Sequence, residues 1–384
     1  MFQAPFVYDA PAQFAVSAQP EAPVFCLSHG VLAATAARFL EGFPGLTTYA
    51  VKANPEPAVV RALLHAGVTA FDVASPEEIR LVRAFAPEAP LHYHNPVKSR
   101  AEIRFALSEG VRVFAADCPQ ELAKILEEAR GLVGELELSV RFRLPIAGAA
   151  YDFGSKFGAD PEQAVELLRA VAAVGALPSL TFHPGSQCLV ATAHAAYIRK
   201  AAEIAREAGV SLHRLNVGGG FPVSYGEPGE VAPLEAYFAS IRAAAQEAFG
   251  AAVPPLVCEP GRAMVAEACA LVTRVKLVRG ETVFLNDGVY GGLAEAPILK
   301  ILPRRRVISA EGVERSGAPQ PFTVFGPTCD SLDRMPGAPL LPADVEEGDF
   351  VIFEGLGAYG SATTTRFNGY EAAGYALVST AAAR

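Results

Sequence analysis

The sequence predicts an α/β protein in two parts. A (β/α)8 TIM-type barrel is expected over residues 24–268, and a mainly antiparallel β domain over residues 269–384, joined by residues 1–23. Three observations carry this expectation. Short apolar runs alternate with segments of helical period through the first two thirds of the chain. Eight such runs can be counted, and repeated strand–helix units imply parallel strands with right-handed crossovers. After residue 268 the helical period stops, and β-rich runs separated by Gly/Pro turns replace it. A doubly wound open sheet is the alternative with the same local signals.

Taken in order, the expected barrel strands are 46–51 (LTTYAV), 69–74 (TAFDVA), 91–94 (LHYH), 112–116 (RVFAA), 137–143 (ELSVRFR), 180–183 (LTFH), 214–217 (RLNV) and 255–259 (PLVCE). Helical segments lie between them near 56–66, 76–86, 99–109, 119–130, 161–175, 193–208 and 232–248. A further one at 30–41 precedes the first strand and completes the outer ring. The second part shows β-type runs at 270–278, 282–286, 321–325, 349–353 and 374–379. The Ala-rich stretches read as good helix formers rather than linkers.

Composition removes several classes of function. Hydrophobic residues make up 51% of the chain and charged residues 19%, which suits a large buried core. A net charge of −9 argues against a nucleic-acid partner, because there is no basic excess to neutralise phosphates. The run Arg304, Arg305, Arg306 is too short to reverse that. The six cysteines show neither CxxC spacing nor a dense framework, so no metal site and no disulfide scaffold is expected. The N-terminus lacks a basic region followed by an apolar one, and no apolar run reaches spanning length without a charge, Gly or Pro. A cytoplasmic protein without membrane contact is expected.

Functional residues of such a barrel gather at the carboxyl ends of its strands. Those ends carry Lys52, Asp72, Ser75, His94, Arg143, His183, Ser186, Gly218–Gly219–Gly220, Glu259 and Arg262. Lys52 leaves an apolar strand, and poor solvation there favours a nucleophilic amine. Alone, it reads better as an ordinary strand-end lysine that reaches solvent. The three glycines allow backbone N–H groups to close on an anion, or simply make a tight turn. GGGFP is not the GxGxxG dinucleotide pattern. Glu259 ends an apolar strand, where a carboxylate needs a cation or donor. Arg262 is either an anion's counter-charge or half of an ion pair. His183 is either a ring-stacking group or a satisfied core histidine. One ligand satisfies all the functional readings together. It has a phosphate for the glycines, an aldehyde for Lys52 and a ring nitrogen for Glu259, which describes pyridoxal 5'-phosphate (PLP).

The motifs YAVKANP (49–55), FDVAS (71–75), KFG (156–158), FHPGSQ (182–187), NVGGGFP (216–222), CEPGR (258–262), NDGVYGG (286–292), GPTCDSLD (326–333), GAYG (357–360) and FNGY (367–370) occur in this order. Together they resemble the fold-type III PLP-dependent decarboxylases, most closely the ornithine/lysine decarboxylase group. The resemblance spans most of the chain and implies roles residue by residue. Lys52 would carry PLP as a Schiff base, His183 would stack on its ring, and Glu259 would face the ring nitrogen. Ser186, Gly218, Gly219, Gly220, Gly261, Arg262 and Tyr359 would surround the phosphate, with Asp72 and Arg143 near the cofactor. Cys329 would return a proton to Cα after CO2 leaves. Asp330 would contact the distal amine of the substrate. The resemblance also implies a homodimer with shared active sites.

Some positions depart from the family pattern. Pro184, Asn216 and Gly360 replace residues that are common in relatives. Where eukaryotic-type ornithine decarboxylases carry an amine-binding aspartate after NDGVYGG, this chain has Leu299. Glu295, four residues earlier, is a candidate replacement or a surface glutamate. L-Ornithine to putrescine, or L-lysine to cadaverine, in polyamine biosynthesis is the expected reaction. Diaminopimelate or carboxynorspermidine decarboxylation, a fold-type III racemase and a non-catalytic decarboxylase-like regulator are the competing readings. Glu259 speaks against a racemase, since those enzymes usually put an arginine there, and the intact Lys52 speaks against the regulator.

Overall fold

The computed structural model describes residues 6–145, 149–151, 154–226 and 231–381. Eight parallel strands close into a barrel: Gly45–Ala50, Ala70–Val73, Leu91–Tyr93, Val113–Ala116, Glu137–Arg141, Leu177–Thr181, Arg214–Asn216 and Leu256–Cys258. Leu256–Cys258 pairs with Gly45–Leu46–Thr47, which seals the ring. Strands such as Ala70–Val73 are buried along their whole length. That explains why they read as unbroken apolar runs rather than alternating ones.

Five of the intervening helices carry a start signal in their sequence. Pro57, Pro76, Pro119 and Pro161 open their helices, at a position where the missing N–H costs nothing. Ser75 caps Pro76–Phe85 through the Glu78 N–H, so this strand-end serine serves the helix. Ser99 and Glu102 form a reciprocal capping box at Arg100–Ser108. The helices Pro161–Ala173, Thr192–Ala208 and Leu234–Phe249 turn apolar faces inward and keep charged residues outside.

The second unit is built on the long strand Cys269–Arg279, which is antiparallel to Val24–Leu27, Thr282–Leu285 and Phe350–Glu354. Arg305–Ile308 extends the sheet beyond Phe350–Glu354, and Tyr375–Val378 and Val7–Tyr8 add parallel strands at the other end. One apolar cluster contains Phe25, Leu271, Val283, Phe322 and Phe353, and the other contains Phe14, Val272, Phe350 and Ile352. Successive residues of one strand, such as Leu271 and Val272, enter different clusters, as the two-residue strand period requires.

The chain divides into compact units at places other than those read from sequence. Residues up to Thr35, a short stretch beginning at Val223, and everything from Arg262 group with the sheet. Ala36–Pro222 and Val231–Gly261 form the barrel unit. Segments 24–35 and 262–268, assigned above to the barrel, thus lie with the sheet. Hydrogen bonding is the reason, since Val24–Leu27 pairs residue by residue with Val272 back to Cys269. Among the described residues, no helix is long and apolar enough to cross a membrane.

Candidate active site

In the barrel unit the carboxyl ends of the strands assemble a buried ionic cluster. Lys52 sits in the single helical turn that follows Gly45–Ala50. Its Nζ donates to Asp72 Oδ2 at 3.2 Å, and the lysine is 39% exposed while Asp72 is 2% exposed. His94 Nδ1 hydrogen-bonds Glu259 Oε1 and lies 3.5 Å from Asp72 Oδ1. Asn216 Nδ2 donates to the same Glu259 oxygen, and Asn216 Oδ1 accepts the Gly218 N–H at 2.8 Å. One asparagine therefore braces both the acid and the glycine loop.

The electrostatics follow from burial and contact. Burial, then the neighbouring Glu259, pushes the Asp72 carboxyl up to about 6, against the pull of Lys52 and His94. Burial also disfavours the Glu259 anion, but His94 and Lys52 outweigh it and hold this carboxyl well below the usual range. His94 is the reciprocal case. Burial opposes its charge, and Glu259 and Asp72 raise it above an ordinary histidine. His183 is held well below an ordinary histidine by burial and by Arg141 and Lys52, so its ring is neutral. Its Nδ1 accepts the Gly185 N–H at 3.0 Å.

The glycine loop is dictated by backbone crowding. A Cβ on Gly218 would stand 2.1 Å from the Phe182 carbonyl, and one on Gly220 would stand 2.4 Å from the Gly185 carbonyl. Both have positive φ, +69° and +83°. Gly219 is bounded by the Glu259 carbonyl, and its own carbonyl is held by buried His194 at 3.1 Å. Gly261 packs against Ala53, leaving 2.8 Å to a Cβ. The stretches around Lys52, the glycines and Glu259 thus lock together. Ser186 begins a short strand paired with Ala149–Tyr151.

In the sheet unit, Arg262 Nη1 and Nη2 donate to the two oxygens of Glu295 at 2.5 and 2.7 Å, and Nη1 also reaches the Tyr225 hydroxyl. The Tyr359 ring lies 4.9 Å from this guanidinium, and Tyr359 takes a left-handed φ of 57°, uncommon for a bulky residue. Leu299 is buried. The GPTCDSLD loop is tied down by Asp333, which accepts the N–H groups of Val289 and Thr328. The Cys329 N–H donates to Asn368 Oδ1 at 3.0 Å, and the cysteine is exposed. Asp330 is half-buried, and accepts the Tyr290 hydroxyl at 2.5 Å and the Leu332 N–H.

Two sequence-derived sites land differently. Arg143 does not join the barrel cluster. The strand ends at Arg141, Phe142 bridges to Ala159, and the Arg143 side chain runs out to Asp160 and the Gly154 carbonyl. Arg141 is the arginine on the cluster side. Burial weakens its charge, while Glu259, Asp117 and Asp72 support it. Glu295, a candidate amine contact, is instead engaged by Arg262. Sequence reasoning gave no role to His94, Asn216 or Arg141. His94 stood among the strand-end residues, and the inward period of ELSVR would have pointed to Arg141.

Residues 31–266 match the family described as "Pyridoxal-dependent decarboxylase, pyridoxal binding domain". The chain is 31% identical to the ornithine decarboxylase of Panagrellus redivivus, over 84% of this chain and 78% of that one. It is 31% identical to the lysine/ornithine decarboxylase of Selenomonas ruminantium, over 84% and 80% of the two chains. Among solved structures, the lysine/ornithine decarboxylase of Vibrio vulnificus complexed with cadaverine superimposes with a TM-score of 0.82 at 31% identity, covering 95% of this chain and 96% of that one.

Proposed function

Because the chain belongs to the fold-type III PLP-dependent decarboxylases of basic amino acids, we propose that it converts L-ornithine to putrescine, or L-lysine to cadaverine, as a step of polyamine biosynthesis. The observation that carries this reading is the cluster of Lys52, Asp72, His94 and Glu259 at the mouth of the barrel. The cluster fits the cofactor chemically. A half-exposed amine stands over a buried floor, and that floor offers an ionised carboxylate to a ring nitrogen. Asp72 Oδ1 and His94 Nε2 are buried polar atoms without a hydrogen-bond partner among the described residues, so the floor retains capacity for a polar ligand.

In this reading Lys52 Nζ would hold PLP covalently, with Asp72, which already accepts from that amine, orienting it. Glu259 would face the ring nitrogen and the neutral His183 would stack on the ring. The peptides of Gly218–Gly220, together with Ser186, Gly261 and Tyr359, would receive the phosphate. Arg262 supplies its counter-charge, pre-oriented by Glu295 and Tyr225. Bound PLP supplies the electron sink for the pair left when CO2 departs. Cys329 Sγ–H then returns a proton to Cα, and Asp330 takes the distal ammonium of the substrate. The exposure of Cys329 and of Ser331 and Leu332 beside half-buried Asp330 supports a homodimer in which this loop completes the partner's site.

A CO2-release assay across a panel of amino acids, with product identification, tests the substrate. Putrescine from ornithine or cadaverine from lysine is expected. Release only from diaminopimelate or carboxynorspermidine would overturn the assignment.

A further inference from the structure

The cofactor contacts proposed above leave His94 unused. We propose that His94 is a positioning residue that keeps the Glu259 carboxylate ionised and aimed, and so fixes the charge presented to the ring nitrogen. The inference rests on the cofactor reading above.

The geometry is specific. His94 lies one residue beyond the strand Leu91–Tyr93, with its side chain 7% exposed. Its Nδ1 reaches Glu259 Oε1, with Asp72 Oδ1 at 3.5 Å and Asn216 Nδ2 at 3.2 Å. The charged and titratable groups facing it come from several strands. They are Asp72, Glu259, Glu137 and, from its own strand, His92, whose ring sits 5.4 Å away. Burial holds His92 down at about 3, so it brings no charge. Two carboxylates this close and this buried do not both stay ionised without a cation between them. Lys52 covers Asp72 and is committed to holding the cofactor, which leaves His94 in direct contact with Glu259.

Orientation alone does not require a histidine. Asn216 already donates to the same Glu259 oxygen and is itself braced by Gly218. What His94 adds is a proton held against the acid. A neutral residue there leaves Glu259 buried beside Asp72, with its ionisation delayed to higher pH. PLP affinity of such a variant is present at high pH and lost as pH falls through the raised Glu259 value. In the wild type Glu259 is ionised throughout that window, and affinity shows no such step.

The test uses the PLP-loaded protein with ring-labelled histidines, followed by carbon-13 NMR against pH, and PLP affinity by equilibrium dialysis. The His94 resonance, identified by its loss in His94→Gln, is expected to titrate above the ordinary value of about 6.5. It should move down in Glu259→Gln. At neutral pH, His94→Gln should bind PLP roughly ten-fold to a hundred-fold more weakly, with the loss shrinking as pH rises. A His94 midpoint at or below the ordinary value would overturn the proposal, as would a pH-independent loss of affinity in His94→Gln. Should His94→Gln fail to fold, the resonance displaced by both Glu259→Gln and Asn216→Ala identifies His94 for the same reading. Borohydride labelling of a lysine other than Lys52 would remove the cofactor reading on its own grounds, while the His94 titration is read separately.

Discussion

Two regions carry acids that the proposed chemistry uses, and they are built in opposite ways. In the barrel, Asp72 and Glu259 are almost fully buried, and their charges are settled by Lys52 and His94. In the sheet unit, exposed Cys329 and half-buried Asp330 lie on a loop whose backbone is pinned by Asp333 and Asn368. The Tyr290 hydroxyl, then the Leu332 N–H, keep Asp330 below the usual carboxylate range. The barrel region has its electrostatics fixed by one chain's own packing. The loop presents reactive groups without enclosing them. A deep cluster tolerates few substitutions, because removing one charge strands another. An exposed loop is defined by position, and its groups act only when something else surrounds them.

The sharpest way to break this contrast is at Lys52. Lys52→Ala should abolish covalent PLP attachment and its visible absorption band, and lower kcat/KM by roughly a thousand-fold or more. Borohydride reduction of the wild type with peptide mapping should mark Lys52. Retention of the band in the variant would remove the barrel cluster from the chemistry. The loop is tested next, by mixing Lys52→Ala with Cys329→Ala. If each loop completes the other subunit's site, random exchange yields heterodimers with one intact site, and about a quarter of wild-type activity returns. Exchange shown by mass spectrometry without recovered activity would mean that each chain builds its own site.

Much of the fold was legible because the parallel barrel strands are mainly apolar on both faces and several of their helices start at Pro or after Ser. All eight barrel strands fall within a few residues of their expected places. The short sheet strands Arg305–Ile308, Pro319–Pro321 and Leu340–Pro342 were not read, because they are brief and rich in charge or proline. Lys52, Asp72, His183 and Glu259 stood out as polar residues ending apolar runs. Arg143 misled because the run ELSVRFR continues past the true strand end at Arg141, and no local signal marks the bridge of Phe142 to Ala159. The Arg262–Glu295 pair joins residues far apart in sequence, which no local pattern can reveal.

That pair gives the next prediction. The sequence reading links Glu295 to the substrate ammonium, whereas the structure links it to Arg262. Glu295→Gln should therefore weaken PLP binding, by about ten-fold for loss of a charge-assisted bidentate contact. KM for ornithine or lysine at saturating PLP should change less than two-fold. The reverse pattern, with PLP affinity intact and KM raised ten-fold, would return Glu295 to the amine.

The smallest expected effect separates the two arginines at one strand end. Arg143 pairs with Asp160 at 3.1 Å, and the two side chains are 40% and 65% exposed. Exposed pairs of this kind contribute about 0–1 kcal/mol, because water screens them and holding two long side chains has an entropic cost. Arg143→Ala should thus leave PLP affinity and kcat/KM within two-fold of wild type, and lower Tm by roughly 3 °C at most. Arg141 lies among Glu259, Asp117 and Asp72, so Arg141→Ala should weaken PLP binding by more than Arg143→Ala does. If Arg143→Ala proved the more damaging, the side chain would have to leave Asp160 for the cluster when PLP binds. The strand would then extend beyond Arg141, and the present contrast between a self-contained barrel site and its solvent-facing rim would shift by two residues.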